Sequence, residues 1–187
     1  MSPEHDLEIL MARYQQGDFA AATALIQRLS PQLHRFFLVQ FASRGDADDL
    51  LQETWLRIHE VRRTYRAGEP VLPWLYAIAR NIRVDHYRKA IRTTGREAPL
   101  EDTHEVAAQT AGPNRGPDLE ELLAGLPESQ REVIEMLKVT GMSLEEVARA
   151  TQSSVGSVKQ KVHRAYEKLR ERWNDMGLVE GRAGGSR

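Results

Sequence analysis

Three blocks of side chains in this 187-residue chain offer chemistry, and in each the chemistry is charge. From Asp46 to Glu60, five acids (Asp46, Asp48, Asp49, Glu53, Glu60) stand against Arg57. From Arg80 to Arg92, five bases (Arg80, Arg83, Arg88, Lys89, Arg92) stand against Asp85. From Lys159 to Arg172, six bases stand against Glu167 and Glu171. The net charge of −1 hides one acidic and two basic surfaces. A near-neutral total argues against a simple nucleic-acid binder, whereas blocks of opposite sign point to separate partners. A solvated helix face is the plain alternative for any single block.

Other chemistries are poorly served. The absence of cysteine excludes disulfides and thiolate zinc sites and suits a reducing compartment. The histidines (His5, His34, His59, His86, His104, His163) stand at no metal-ligand spacing, and no glycine-rich phosphate loop follows a strand pattern. Asp48, Asp49 and Glu53 could hold a divalent ion, but neighbouring acids on a solvent-facing helix more often stay solvated. No catalytic residue, metal or cofactor is expected. The first ten residues are acidic and polar, so no signal peptide is expected. No apolar run approaches the ~18 residues of a membrane span. The cytoplasm is the expected location.

The elements that must carry these blocks read as helices, so the fold class is all-α. Asp18 can cap a helix to about Leu29, and Pro31 can open a second one carrying Leu33, Phe36, Phe37 and Val39. Asp46 can cap a helix to about Val61, with Leu51, Trp55 and Ile58 inward. Arg62 to Pro70 is a polar loop. Pro73 opens a helix with Leu75, Ile78, Ile82 and His86 on one side and Asn81, Asp85, Arg88, Lys89 and Arg92 on the other. From Thr93 to Pro117, six of 25 residues are Gly or Pro and no period survives, which predicts a flexible linker. Fully extended it would reach ~80 Å. Beyond it, short helices are expected from Pro117 and from Glu128 to Gly141. The expected organisation is a helical domain at 1–92, a linker at 93–117, a helical domain at 118–175 and a disordered tail at 176–187.

The sharpest local motif lies in the last third. Ser143-Leu144-Glu145-Glu146 is a capping box that starts a short helix. Thr151-Gln152-Ser153 makes a turn, and Ser154 caps a longer basic helix with Val158, Val162, Ala165 and Leu169 inward. That is a helix-turn-helix, whose second helix enters the major groove. Its outward positions are Ser157, Lys159, Gln160, Lys161, His163 and Arg164. Lys and Arg can contact phosphates or guanine, and Gln can pair with adenine. A plain helical hairpin with a basic face is the alternative. Near Arg80 to Arg92, Trp74, Tyr76 and Tyr87 could stack on unpaired bases, or Trp74 and one tyrosine could belong to the core.

These residues resemble a family. Asp46-Ala47-Asp48-Asp49-Leu50-Leu51-Gln52-Glu53-Thr54-Trp55 resembles the region-two helix of extracytoplasmic-function (ECF, group IV) RNA polymerase sigma factors. Pro73 to Asn81, with Asp85 and Arg88-Lys89, is similar to the helix with which they read the minus-ten element. Leu126 to Val133 and Gly156 to Ala165 are similar to region four. Four motifs in order cover most of residues 10 to 173. The resemblance implies that Asp48, Asp49, Gln52 and Glu53 dock on core RNA polymerase, at the clamp helices of its largest subunit, with the flap as a further contact. It implies that Asn81, Asp85, Arg88, Lys89 and Arg92 bind minus-ten DNA. The loop residues Arg62, Arg63, Thr64, Tyr65 and Arg66 would receive a flipped base. Ser157, Lys159, Gln160, Lys161, His163 and Arg164 would bind minus-thirty-five DNA. An anti-sigma factor, membrane-bound or free, is the expected regulator. Gln160, Val162 and Tyr166 interrupt the arginine-rich string common in the family's recognition helix, which leaves the preferred sequence open. An ordinary helix-turn-helix regulator would explain the last third but leave the acidic helix without a purpose.

Overall fold

Asp18 stands just ahead of a long apolar stripe. Its Oδ1 accepts from the amides of Ala20 and Ala21 at 2.9 and 3.1 Å, closing the open N-terminus of helix α2, Phe19–Gln40. The Ala21 amide first, then the Arg13 guanidinium that donates to Asp18 Oδ2 at 2.9 Å, and last the Ala20 amide hold the Asp18 carboxyl below its ordinary pKa. Two helices were expected here, broken at Pro31; the computed structural model, which describes residues 3–40, 44–94, 123 and 125–175, has one, with Pro31 inside it. An interior proline costs about 3 kcal/mol. Leu25, Leu29, Leu33, Phe36 and Phe37 are all buried along one side of α2, at about 1.5–3 kcal/mol each, so burial wins over the local break.

Helix α1, Pro3–Gln15, was not anticipated. It buries Met11 and Tyr14 and packs Leu7 and Leu10 against the same core. Helix α3, Arg44–Val61, starts two residues before Asp46, which sits in its first turn. Its inward stripe is Ala47, Leu50, Thr54 and Ile58; Leu51 and Trp55 are only half-buried. The difference of one position arises because Thr54 satisfies its own hydroxyl, donating to the Leu50 carbonyl at 2.7 Å, and so can face inward. Trp55 lies at the rim, its Nε1 donating to Ser30 Oγ at 2.9 Å.

Helix α4, Val71–Thr94, begins two residues before Pro73, which stands in the first turn where a missing amide costs nothing. Its buried side is Leu72, Leu75, Tyr76, Ala79, Ile82 and Arg83, with Ile78 and His86 half-buried. Tyr76 meets Phe36 edge-on, ring centroids 5.3 Å apart.

The second half holds three helices, α5 (Glu128–Lys138), α6 (Leu144–Ala150) and α7 (Val155–Asp175). Gly141, at φ +76°, makes the turn after α5. The second half packs on the first: α5 lies on α2, and α6 lies on α4. Val133, Met136, Met142, Val147, Ala148, Ala150 and Val158 join one buried cluster with the residues of α1 to α4. All seven α-helices stand without a strand among the described residues, and none is long and apolar enough to cross a membrane. The expected linker beyond Thr94, the expected helix from Pro117 (apart from Leu123) and the expected tail lie outside the described residues.

Candidate functional site

The acidic face is built by α3. With Ala47, Leu50, Thr54 and Ile58 turned inward, Asp48, Asp49, Gln52 and Glu53 are all exposed. Asp48 Oδ1 lies 2.9 Å from His34 Nε2 of α2. Leu56 shares this face and is 68% exposed. A large apolar side chain in the midst of acids has nothing to gain from water, and the sequence reading passed over it. Its signal is that Ile58 and Thr54 fix the inward side and so leave position 56 outside.

On α4, Asn81, Asp85, Arg88, Lys89 and Arg92 are all exposed and form one stripe, with Asp85 Oδ1 3.8 Å from Arg88 Nη1. The aromatic neighbours behave differently. Tyr76 is buried, and burial, reinforced by Glu135, pushes its phenol far above the usual value. Trp74 is half-buried against Tyr65, ring centroids 5.5 Å apart.

The loop between α3 and α4 is held in shape by α1. Gln15 Nε2 donates to the carbonyls of Arg62 and Tyr65, both at 2.7 Å. The Arg62 guanidinium lies 5.8 Å from the centre of the Tyr14 ring and donates to the His59 carbonyl. Tyr65 is buried, its hydroxyl donating to the Glu69 carbonyl; burial, with Glu8 and Glu69 nearby, pushes its pKa up to about 12. Arg63, Thr64 and Arg66 are exposed, and Arg62 is half-buried.

In the second half, Ser143 Oγ accepts from the Glu146 amide at 3.2 Å, and Glu146 accepts from the Ser143 amide at 2.8 Å. Both members of the capping box are therefore present. The turn to α7 passes through Gln152 at φ 52°, a left-handed conformation, and Thr151 Oγ1 donates back to the Val147 carbonyl at 2.7 Å. Ser154 Oγ then accepts from the Ser157 amide at 3.1 Å. On α7, Val158 and Ala165 are buried; Lys159, Gln160, His163 and Arg164 are exposed, while Ser157 and Lys161 are half-buried. Glu167 lies 3.2 Å from His163 Nδ1.

Three arginines correct the sequence reading: Arg131 was not anticipated, and Arg80 and Arg83, counted with the basic surface of α4, turn away from it. Arg131 on α5 is buried and donates from Nε to the Leu123 carbonyl at 3.0 Å, from Nη2 to Leu126 at 2.9 Å and from Nη1 to Val39 at 2.7 Å. Burial, with Arg83 nearby, lowers its pKa to about 10, so it remains a cation at neutral pH. Arg80 and Arg83 point away from the exposed stripe of α4 and toward α5, where Glu132 meets both. No signal within α4 alone separates them from Arg88 and Lys89.

Known proteins share this arrangement. The model of Sigma-70 region 2 matches residues 25–93, and that of Sigma-70, region 4 matches residues 118–169. The ECF RNA polymerase sigma factor SigF of Caulobacter vibrioides is 35% identical over 171 residues, 90% of this chain and 94% of that one. The RNA polymerase sigma factor CarQ of Myxococcus xanthus is 32% identical over 175 residues, 92% of this chain and 100% of that one. Two solved structures, each 24% identical, share the fold. CnrH, solved with the cytosolic domain of CnrY, has a TM-score of 0.69 over 91% of this chain and 98% of that one. The sigma factor RpoE of Bartonella quintana, solved with the anti-sigma factor NepR, has a TM-score of 0.64 over 80% of this chain and 94% of that one.

Proposed function

Because the chain belongs to the ECF RNA polymerase sigma factors, we propose that it binds core RNA polymerase in the cytoplasm and directs it to a particular set of promoters. The observation that carries this reading is the sorting of charge onto separate exposed faces: acids on α3, bases on α4 and on α7. A sigma factor needs one surface for a basic protein and two for DNA.

The working modules are residues 1–92 and 118–175. Asp48, Asp49, Gln52 and Glu53 meet a basic surface of the polymerase clamp, where complementary charge speeds and orients docking. Leu56 lies within that footprint and supplies the apolar contact that charges alone lack. Asn81, Asp85, Arg88, Lys89 and Arg92 hold the minus-ten strand. A base flipped from the duplex, at a cost of a few kcal/mol, is received by the loop Arg62 to Arg66, with Tyr65 as its buried floor. Ser157, Lys159, Gln160, Lys161, His163 and Arg164 read the minus-thirty-five element as duplex. The anti-sigma complex of the Bartonella quintana relative supports an anti-sigma factor as the regulator here. No step calls for a catalytic residue or a cofactor; the chemistry belongs to the polymerase.

The test is run-off transcription with core polymerase over a promoter library. The wild-type chain is expected to select a small set of promoters, and Asp49→Lys with Glu53→Lys to abolish the activity. Tight, specific promoter binding by the chain alone, unchanged by core polymerase, would instead identify an ordinary helix-turn-helix regulator.

A further inference from the structure

Helix α1 ends against the loop between α3 and α4, and it lies outside residues 25–93, which the Sigma-70 region 2 model matches. Its last residue, Gln15, directs both hydrogens of one side-chain amide at that loop. Nε2 donates to the carbonyl of Arg62 and to that of Tyr65, at 2.7 Å each. Arg62 opens a short 3-10 turn, Arg62–Thr64, and Tyr65 closes it. The Tyr65 amide donates to the Arg62 carbonyl as well, at a long 3.3 Å. The two hydrogens of a planar amide diverge at a fixed angle. They meet both carbonyls only while the turn keeps these at one spacing, so Gln15 acts as a gauge laid across the turn.

The turn is weakly held from within. None of its three residues is buried, and 3-10 hydrogen bonds have poor geometry. Its own side chains bond locally: Thr64 Oγ1 donates to the Val61 carbonyl at 2.8 Å, and Arg62 donates to the His59 carbonyl.

Gln15, by contrast, is anchored on both flanks. Tyr14 beside it is buried, with its ring 5.8 Å from the Arg62 guanidinium and its hydroxyl 2.8 Å from His59 Nδ1. Just beyond, the chain reverses through Gly17 at φ +92°, whose amide donates to the Tyr14 carbonyl at 3.0 Å. The Asp18 amide donates to the Arg13 carbonyl at 3.2 Å. A side chain fixed in this way passes its position on to the loop it touches. A loop ordered before it meets its ligand also loses less entropy on binding.

We propose that Gln15 is a positioning residue for the flipped base. It holds the Arg62 and Tyr65 carbonyls at the spacing of the turn, and so sets the shape in which Arg63, Thr64, Tyr65 and Arg66 meet that base. The proposal rests on the reading of Arg62 to Arg66 as the base-receiving loop. It gives α1 a part in promoter choice, exerted through the loop.

Run-off transcription by the full chain with core polymerase tests it, over promoters randomised at each minus-ten and minus-thirty-five position. Thr64→Ala and Arg66→Ala first mark the position that the loop reads, as the one where base preference flattens. Gln15→Met, similar in length but without a donor, is expected to flatten that same position about tenfold and leave the minus-thirty-five preferences as they were. Gln15→Lys, which brings donors to the same two carbonyls, should retain most of the preference. Glutamine, methionine and lysine are all good helix formers, so neither variant weakens α1. A merely structural role would lower output from all promoters alike, with lysine no better than methionine, and that result overturns the proposal. So does an intact preference in Gln15→Met while the loop variants flatten theirs. If neither Thr64→Ala nor Arg66→Ala flattens any minus-ten position, the base-receiving loop itself is overturned, and the role of Gln15 falls with it.

Discussion

Helices α3 and α5 are both rich in acids, and they use them in opposite ways. On α3, Asp48, Asp49 and Glu53 face water. On α5, Glu132 and Glu135 are buried against arginines of another part of the chain. The same side chain is therefore a solvated handle in one place and a structural pin in the other. What differs is the company it keeps. The α3 acids stand opposite the apolar stripe of their own helix, whereas α5 is buried on several sides at once, from Gln130 to Met136. A stretch of seven consecutive buried residues must bury whatever charge it carries, and buried charge survives only when paired.

The contrast can be tested directly. Glu132→Ala leaves Arg80 and Arg83 without their shared partner and should cost the fold about 3–5 kcal/mol, read by urea unfolding of the full chain. Glu53→Ala should cost no more than about 1 kcal/mol in the same assay, yet weaken polymerase binding by about 2 kcal/mol. If both glutamates behave alike, the distinction between handle and pin fails. Leu56→Ala sharpens it: stability should move by less than about 0.5 kcal/mol while polymerase affinity falls several-fold, measured by titration of labelled protein with core enzyme.

Smaller effects come from caps, where charge and hydrogen bonding act within a single turn. Ser143→Ala removes one half of the capping box and should cost about 1 kcal/mol, seen as a lower urea midpoint with an unchanged slope. Asp18 has the smallest expected effect. Its pKa is lowered in the folded chain, so its contribution is present above the ordinary carboxylate pKa and is lost as pH falls through the lowered value. Asp18→Asn should keep the cap and remove that part of the acid dependence; comparing urea midpoints at pH 7 and pH 3 checks it. An unchanged difference between the two pH values would show that Asp18 is no more than a spectator.

These residues also mark how far a sequence can be read. The caps at Asp18, Ser143 and Ser154 were legible because donor and acceptor lie within three residues of each other. The exposed stripe from Asn81 to Arg92 was legible because it follows one helical period. Continuity through Pro31 was not, since it depends on burial against helices elsewhere in the chain. Nor was the inward turn of Thr54, which needs the Leu50 carbonyl as acceptor. Arg80 and Arg83 look like Arg88 and Lys89 from within α4. Only the arrival of Glu128 and Glu132, 45 and 49 residues beyond Arg83, tells them apart.

Arg131 has a consequence for how the chain assembles. Among its described acceptors, Leu123 and Leu126 belong to its own half and Val39 to the other. Leu123 and Leu126 fix the plane of the guanidinium from within the second half, and that plane points Nη1 at the end of α2: the peg is cut before its hole is offered.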